Sequence, residues 1–311
     1  TSSQATFLLE SVRATYGVGL ALSLTTAAGA LLVHRASGPR PAPPPLPESG
    51  AFEARAPAPL LGVAFASGFG TLALEVLLIH AFAQILSSSV YSAGAILVVV
   101  LLSIASGAAL VAATASRVPA RPALAAVLTV QALLLLALPA LLVFVTGGLH
   151  RFVFGTLRNG FLLAAGLGGP VLLVGSLVLP LTFRLASGGD VGRRFGGLLA
   201  ANTAGGILGS VAASFLLLDR LGLWTSIFVL GVGYGAAALL PGGGRRFTLV
   251  RAGVVAAAVL VVLAGPASPR ALPVAGVDAD ERLLAVDEGA HGIVTVLEDR
   301  KGDRRIKVDN H

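Results

Sequence analysis

The chain has 311 residues, of which 55% are hydrophobic and only 12% charged, against roughly 25% charged residues in soluble domains. So little charge cannot clothe a globular surface in water, so the composition excludes a soluble globular protein and makes lipid the solvent. A formal charge of +7 would suit nucleic acid, but nearly all basic residues before Pro266 sit in short loops between apolar runs, the pattern of a membrane protein rather than of a phosphate-binding stripe.

Eight apolar runs follow one another, each near the ~20 residues that a bilayer core requires of a helix. They are Thr15–Val33, Leu60–Leu86, Val90–Ala113, Ala123–Val145, Gly160–Phe183, Gly197–Leu218, Leu223–Leu240 and Phe247–Ala264. The first run lies too far from a basic n-region and cleavage site to read as a signal peptide. Between it and the second lies Arg35 to Pro59, whose PRPAPPPLPE segment reads as an extended, semi-rigid linker. The later loops are short, so neighbouring helices should run antiparallel.

Loop charges orient the bundle. Arg35, Arg40, Arg55, Arg117, Arg121, Arg184, Arg193, Arg194, Arg245 and Arg246 fall on one side, and Arg13, Arg151, Arg158 and Arg220 on the other. The richer side is expected to be cytoplasmic. With eight spans the tail then leaves on the extracytoplasmic side, and one miscounted span would reverse this.

At Pro266 the chain changes character. Of its 15 acidic residues, only Glu10, Glu48, Glu53, Glu75, Asp190 and Asp219 precede this point. The stretch GIVTVLED-RKGD-RRIKVDN alternates apolar and polar residues about a Gly-containing turn, which predicts a β-hairpin. A lone hairpin is marginal in water, so it should belong to a larger sheet or pack on a partner. The expected fold is thus an all-α multi-pass membrane helix bundle of about eight transmembrane helices followed by a short C-terminal β-hairpin segment. Residues 1–59 form the first helix and linker, 60–265 a seven-helix bundle, and 266–311 the start of a soluble domain.

The absence of Cys removes disulfides and thiolate metal sites, and the absence of Met means that residue 1 is not a translation start. The chain reads as a mature form or a fragment. Arg greatly outnumbers Lys and Ala and Gly abound, the usage of a GC-rich bacterial genome.

Glu75 is the sharpest intramembrane residue. It lies roughly 20 Å into the second run at about 1.5 Å per residue. A carboxylate at mid-membrane costs roughly 2.5–3.5 kcal/mol, so it should be protonated or paired inside the bundle. It is either a proton or cation site or a hydrogen bond fastening two helices. His80, Gln84, Ser87 and Ser88 share one helix face at spacings of three and four. Glu75 and His80 point about 140° apart at 100° per residue and do not make a pair. In the sixth run Ala201, Gly205, Gly209 and Ala213 recur every four residues beside Gly206 and Ser210. Small residues at this spacing let two backbones approach closely, and Asn202 and Thr203 are placed to hydrogen-bond across the contact. A dinucleotide loop is excluded there because no strand precedes these glycines. His291 and His311 lie in the tail, where exposed strand positions are a better reading than a metal pair. Neither a catalytic residue set nor a metal site is expected within the chain.

Three stretches together resemble the membrane-bound spermidine synthase-like family. They are SGFGTLALEVLLIHAFAQILSSSVYS; LPLTFRLA followed by GGLLAANTAGGILGSVAASFLLLDRLGL; and DEGAHGIVTVLEDRKGDRRIKVDNH. The first looks like that family's opening helix, the second like its Ala-Ala-Asn-Thr-x-Gly helix and Leu-Gly-Leu turn, and the third like the hairpin that opens its synthase domain. The match covers about residues 60 to 311. Family members commonly carry an aromatic and an Arg where Leu78 and His80 stand, so a role for that Arg does not transfer. The resemblance implies a following α/β domain that transfers an aminopropyl group from decarboxylated S-adenosylmethionine to a polyamine. That domain would hold the catalytic residues, and the chain itself needs no cofactor. The donor is cytosolic, whereas the loop charges put the hairpin outside, so either the span count or the activity of that domain departs from the family. Two other expectations stand beside this one: a transporter-like or channelling bundle using Glu75, and a non-catalytic accessory subunit of a larger membrane assembly. The expected partners are a lipid bilayer, then other membrane subunits or a second copy of the chain, and no nucleic acid; the expected location is a bacterial inner membrane.

Overall fold

The computed structural model describes residues 56–85, 89–149, 157–186, 191–241, 244–278, 280–289 and 292–309, with isolated helical positions between Leu20 and Arg35. The chain divides into two compact units, Thr1–Ala51 and Phe52–His311. The described positions of the first unit are helical and exposed; most of the first apolar run and the Pro-rich linker lie outside the described residues.

The second unit opens with α1 (Ala58–Ala83), α2 (Ser89–Ala113) and α3 (Ala120–Val145). Pro57 and Pro119 stand at the N-caps of α1 and α3; the fixed φ of proline suits a helix start, where its missing N–H goes unused. Next come α4 (Leu157–Ser176) and α5 (Val178–Leu185), which together supply the span Gly160–Leu185. The break at Leu177 follows from Pro180, which cannot donate to the carbonyl four residues back. After α6 (Val191–Ala212) come a π-helical segment, Ala213–Leu217, and α7 (Leu218–Leu221). Gly222 then takes φ 74°, open to glycine at little cost, and α8 (Leu223–Ala237) starts at the next residue. The last helix, α9 (Arg245–Ala264), buries only Val255 and is the most peripheral.

Among the described residues six helical segments are long and apolar enough to cross a membrane: Ala58–Ala83, Ala93–Ala113, Ala120–Val145, Gly160–Leu185, Gly192–Leu221 and Arg245–Ala264. The expected count of about eight is therefore not reached. The seventh run, Leu223–Leu240, forms a 15-residue helix that ends at Ala237 and passes into turns; its α-helical part spans only ~22 Å at 1.5 Å per residue.

The tail holds more than a hairpin. Strands β1 (Glu281–Gly289), β2 (Gly292–Asp299) and β3 (Arg304–Val308) form an antiparallel sheet in that order. The expected hairpin corresponds to β2 and β3, joined through Gly302 at φ 88°. Asp299 Oδ1 accepts from the backbone N–H groups of Lys301 and Asp303 at 2.8 and 2.9 Å, closing the turn. In β1 the register shifts between Leu283 and Ala285, so Leu284 is a bulge that breaks the two-residue alternation. The inward face of β2 presents Ile293, Thr295 and Leu297, all buried.

One large apolar cluster joins α1, α3 and α8 and takes in Ile293 of the sheet, with Leu272 and Val274 packed against it. The sheet accordingly belongs to the same compact unit as the helices.

Candidate functional site

α1 packs most extensively on α6, and glycines decide how closely. A Cβ on Gly205 would lie 2.2 Å from the Phe65 carbonyl oxygen, and one on Gly209 would lie 2.2 Å from that of Phe69. On the facing helix a Cβ on Gly68 would meet the Asn202 carbonyl oxygen within 1.9 Å. Asn202 Nδ2 donates to the Ala64 carbonyl at 3.1 Å, and Ala201 packs near Leu61 in a small cluster with Ala64 and Leu198. The pairs Phe65–Gly205 and Phe69–Gly209 share one offset, so the two helices run parallel. The same offset carries buried Ala73 to buried Ala213, the first residue of the π-helical segment.

Glu75 lies half a turn beyond Ala73, at the level of that segment. It is half-buried beside the fully buried Leu74, Leu77 and Leu78. It is about 12 Å from the C-terminal end of α1 and about 7 Å from the middle of that helix. π-Helical turns recur at functional sites because they displace side chains from the regular α spacing.

Of the polar face beyond Glu75, His80 and Gln84 fall among the described residues. His80 Nδ1 donates to the Val76 carbonyl of its own helix at 2.9 Å. Gln84, fully buried at the C-cap of α1, donates through Nε2 to Asp309 Oδ1 at 3.1 Å. That same oxygen accepts the Ile293 N–H at 3.0 Å, while Asp309 N–H donates to the Ile293 carbonyl at 2.8 Å. Asp309 has φ 49°, in the left-handed region that Asp tolerates better than most residues. Ser87, Ser88, His291 and His311 lie outside the described residues.

Two further contacts complete this junction, and the sequence pattern does not single them out. The Glu288 carboxylate accepts the Leu223 N–H at the first residue of α8, where the helix dipole favours an anion. A Cβ on Gly222 would come within 2.9 Å of that carboxylate. Burial pushes the Glu288 pKa up, and the Leu223 hydrogen bond opposes part of that rise. Trp224 Nε1 donates to the Pro273 carbonyl at 2.8 Å, fixing the connector between α9 and the sheet. The only signal in the sequence is the Gly-Leu pair at 222–223, a helix stop followed at once by a helix start.

These contacts also locate the sheet relative to the helix ends without counting spans. It meets the C-terminus of α1 and the N-terminus of α8. At the opposite end Arg184 Nη2 bonds the carbonyls of Ala115 and Val118, joining α5 to the α2–α3 connection. Arg193 and Arg194 open α6 at that end, and Arg245 and Arg246 open α9.

Among the described residues no group of three or more His, Cys, Asp or Glu could hold a metal ion. The fold and the junction define a multi-pass helical bundle suited to a lipid bilayer, with a three-stranded sheet seated on one end. No protein-family model, curated protein or solved structure matches the chain.

Proposed function

We propose that the chain is the membrane region of a spermidine synthase-like integral membrane protein, with β1–β3 as the opening of its synthase-type domain. One observation carries the reading. Gln84 bonds Asp309 and Leu223 bonds Glu288, so at the junction the first and second of the three stretches that resemble this family each contact the third. A domain continuing from β3 would be seated on the bundle by buried hydrogen bonds and by Ile293 in the shared core, rather than tethered by a flexible linker. In this reading the first run and α8 also cross the bilayer, giving eight spans in a bacterial inner membrane. The arginine-rich end is then cytoplasmic and the sheet extracytoplasmic.

The activity is tested on the full-length protein in proteoliposomes with labelled decarboxylated S-adenosylmethionine and a polyamine acceptor. With the donor supplied on both faces, aminopropyl transfer would show that the domain keeps the family's activity on the side away from the cytosolic donor; a folded protein that transfers nothing and purifies as a stoichiometric complex would be an accessory subunit instead. Because the chain has no Cys, a single Gly302→Cys reports sidedness: labelling by an impermeant maleimide in intact cells is expected, and labelling only after lysis would reverse the orientation.

Glu75 at the level of the π-helical segment favours one second reading, a bundle that conducts or couples a cation. Loss of polyamine flux in proteoliposomes on Glu75→Gln would support it, and full flux in that variant would remove it.

A further inference from the structure

A groove of about 500 Å³ lies between α3 and α9 at the arginine-rich end. Its lining includes Arg121, Arg251, Ala126, Val130, Phe247 and Val250, and no carboxylate stands among the described lining residues. Phe247 is 71% exposed and Val250 58%, so the groove opens sideways, toward the space that lipid occupies around a membrane bundle.

We propose that this groove binds an anionic phospholipid, its phosphate between Arg121 and Arg251 and an acyl chain along Ala126, Val130, Phe247 and Val250. The depths suit this occupant. Arg121 is the second residue of α3, whereas Arg251 lies six residues inside α9, about 9 Å further along the helix at 1.5 Å per residue. Arg251 Nη2 donates to Thr248 Oγ1 at 3.3 Å, one turn back toward the helix start. That bond draws its guanidinium up to the headgroup plane, as long basic side chains near span ends do. Guanidinium groups match phosphate oxygens in pairs, and basic pockets between spans select anionic headgroups. Arg245 and Arg246 open the same helix, adding to the positive field at this end. A zwitterionic lipid would place its own ammonium in that field, which is the basis of selectivity.

The test is native mass spectrometry of the detergent-solubilised chain, titrated with dioleoyl-phosphatidylglycerol or dioleoyl-phosphatidylcholine. The anionic lipid should bind about thirtyfold more tightly, and Arg121→Gln with Arg251→Gln should erase the preference. Arg121→Gln alone, at an exposed helix start, should keep the bundle intact and weaken the preference about fivefold. Ala126→Trp should fill the groove and abolish retention while both arginines remain. Equal affinity for the two lipids would overturn the proposal, as would a preference untouched by Arg121→Gln. Displacement of the lipid by millimolar inorganic phosphate would reduce the site to a free-anion site and overturn it too. Protection of an Ala126→Cys thiol from a lipid-soluble maleimide regardless of lipid would put a polypeptide segment in the groove instead.

Discussion

The α1–α6 seam and the sheet–bundle junction are both close contacts, built by opposite means. The seam is backbone against backbone. Gly68, Gly205 and Gly209 remove side chains where carbonyl oxygens of the partner helix approach. Lipid offers helices no hydrophobic drive to associate, so close van der Waals packing must supply the attraction. At the junction, by contrast, Gln84, Glu288 and Trp224 each satisfy a group on a distant part of the chain. Packing that leaves no space fails on adding one methyl. Hydrogen bonding fails on removing one oxygen, and fails locally.

The largest expected effect is at the seam. Gly209→Val or Gly205→Val would drive a Cβ into a carbonyl oxygen and should cost about 3 kcal/mol or more, through overpacking that the backbone cannot relieve. Gly166→Ala is the control, since nothing lies within 4 Å of the place its new methyl would take, and should change little. Reversible unfolding in mixed micelles measures both, and a Gly209→Val protein as stable as the parent would break the contrast.

Next comes Asp309→Ala, which removes the acceptor shared by Gln84 and Ile293. About 1–3 kcal/mol is expected from the buried groups left unpaired. Hydrogen exchange should quicken in β2 and β3 while α1 and α6 keep their protection. Uniform loss of protection would mean that sheet and seam are not separable.

The junction should also respond to pH. Burial raises the Glu288 pKa above its ordinary 4.5, so its protonated form is favoured in the fold. That contribution is fully present below the ordinary value and is lost as pH rises through the raised one. Glu281 has the opposite sign: its hydrogen bond to Lys307 at 2.9 Å lowers its pKa. Its contribution is present above the ordinary value and is lost as pH falls through the lowered one. Sheet protection measured across acidic pH should therefore show two opposed trends. Glu288→Gln should remove the one that weakens the sheet as pH rises, and an unchanged profile would detach Glu288 from the junction.

The smallest expected effect is that of Glu75→Gln. The half-buried carboxyl holds no helix pair together among the described contacts, so unfolding free energy should move by less than about 1 kcal/mol. A loss of several kcal/mol would make Glu75 a fastening between helices and move it to the seam's side of the comparison.

Several of these features are legible in the amino-acid order alone. Apolar length marks α1, α2, α3 and α9 to within a few residues, and the four-residue recurrence from Ala201 to Ala213 marks a close-packing face. The alternation in GIVTVLED and RRIKV marks β2 and β3. β1 escapes the same reading because the bulge at Leu284 sets two leucines side by side and breaks the period. Two of the eight apolar runs are not among the six long helices: the first lies mostly outside the described residues, and Leu223–Leu240 stays apolar beyond the end of its helix at Ala237. Arg251 escapes the loop accounting because it sits inside a span.

The sequence by itself determined what each segment of some twenty residues could be, because apolar length, alternation and small-residue spacing are local properties. Only the tertiary structure decided what each segment meets. Gln84 and Asp309 are 225 positions apart, Glu288 and Leu223 are 65 apart, and no local pattern in either member of such a pair names the other. A glutamine that reads as one member of a polar stripe along a helix face is the peg on which the sheet is hung, because a buried amide must find a partner wherever the fold brings one.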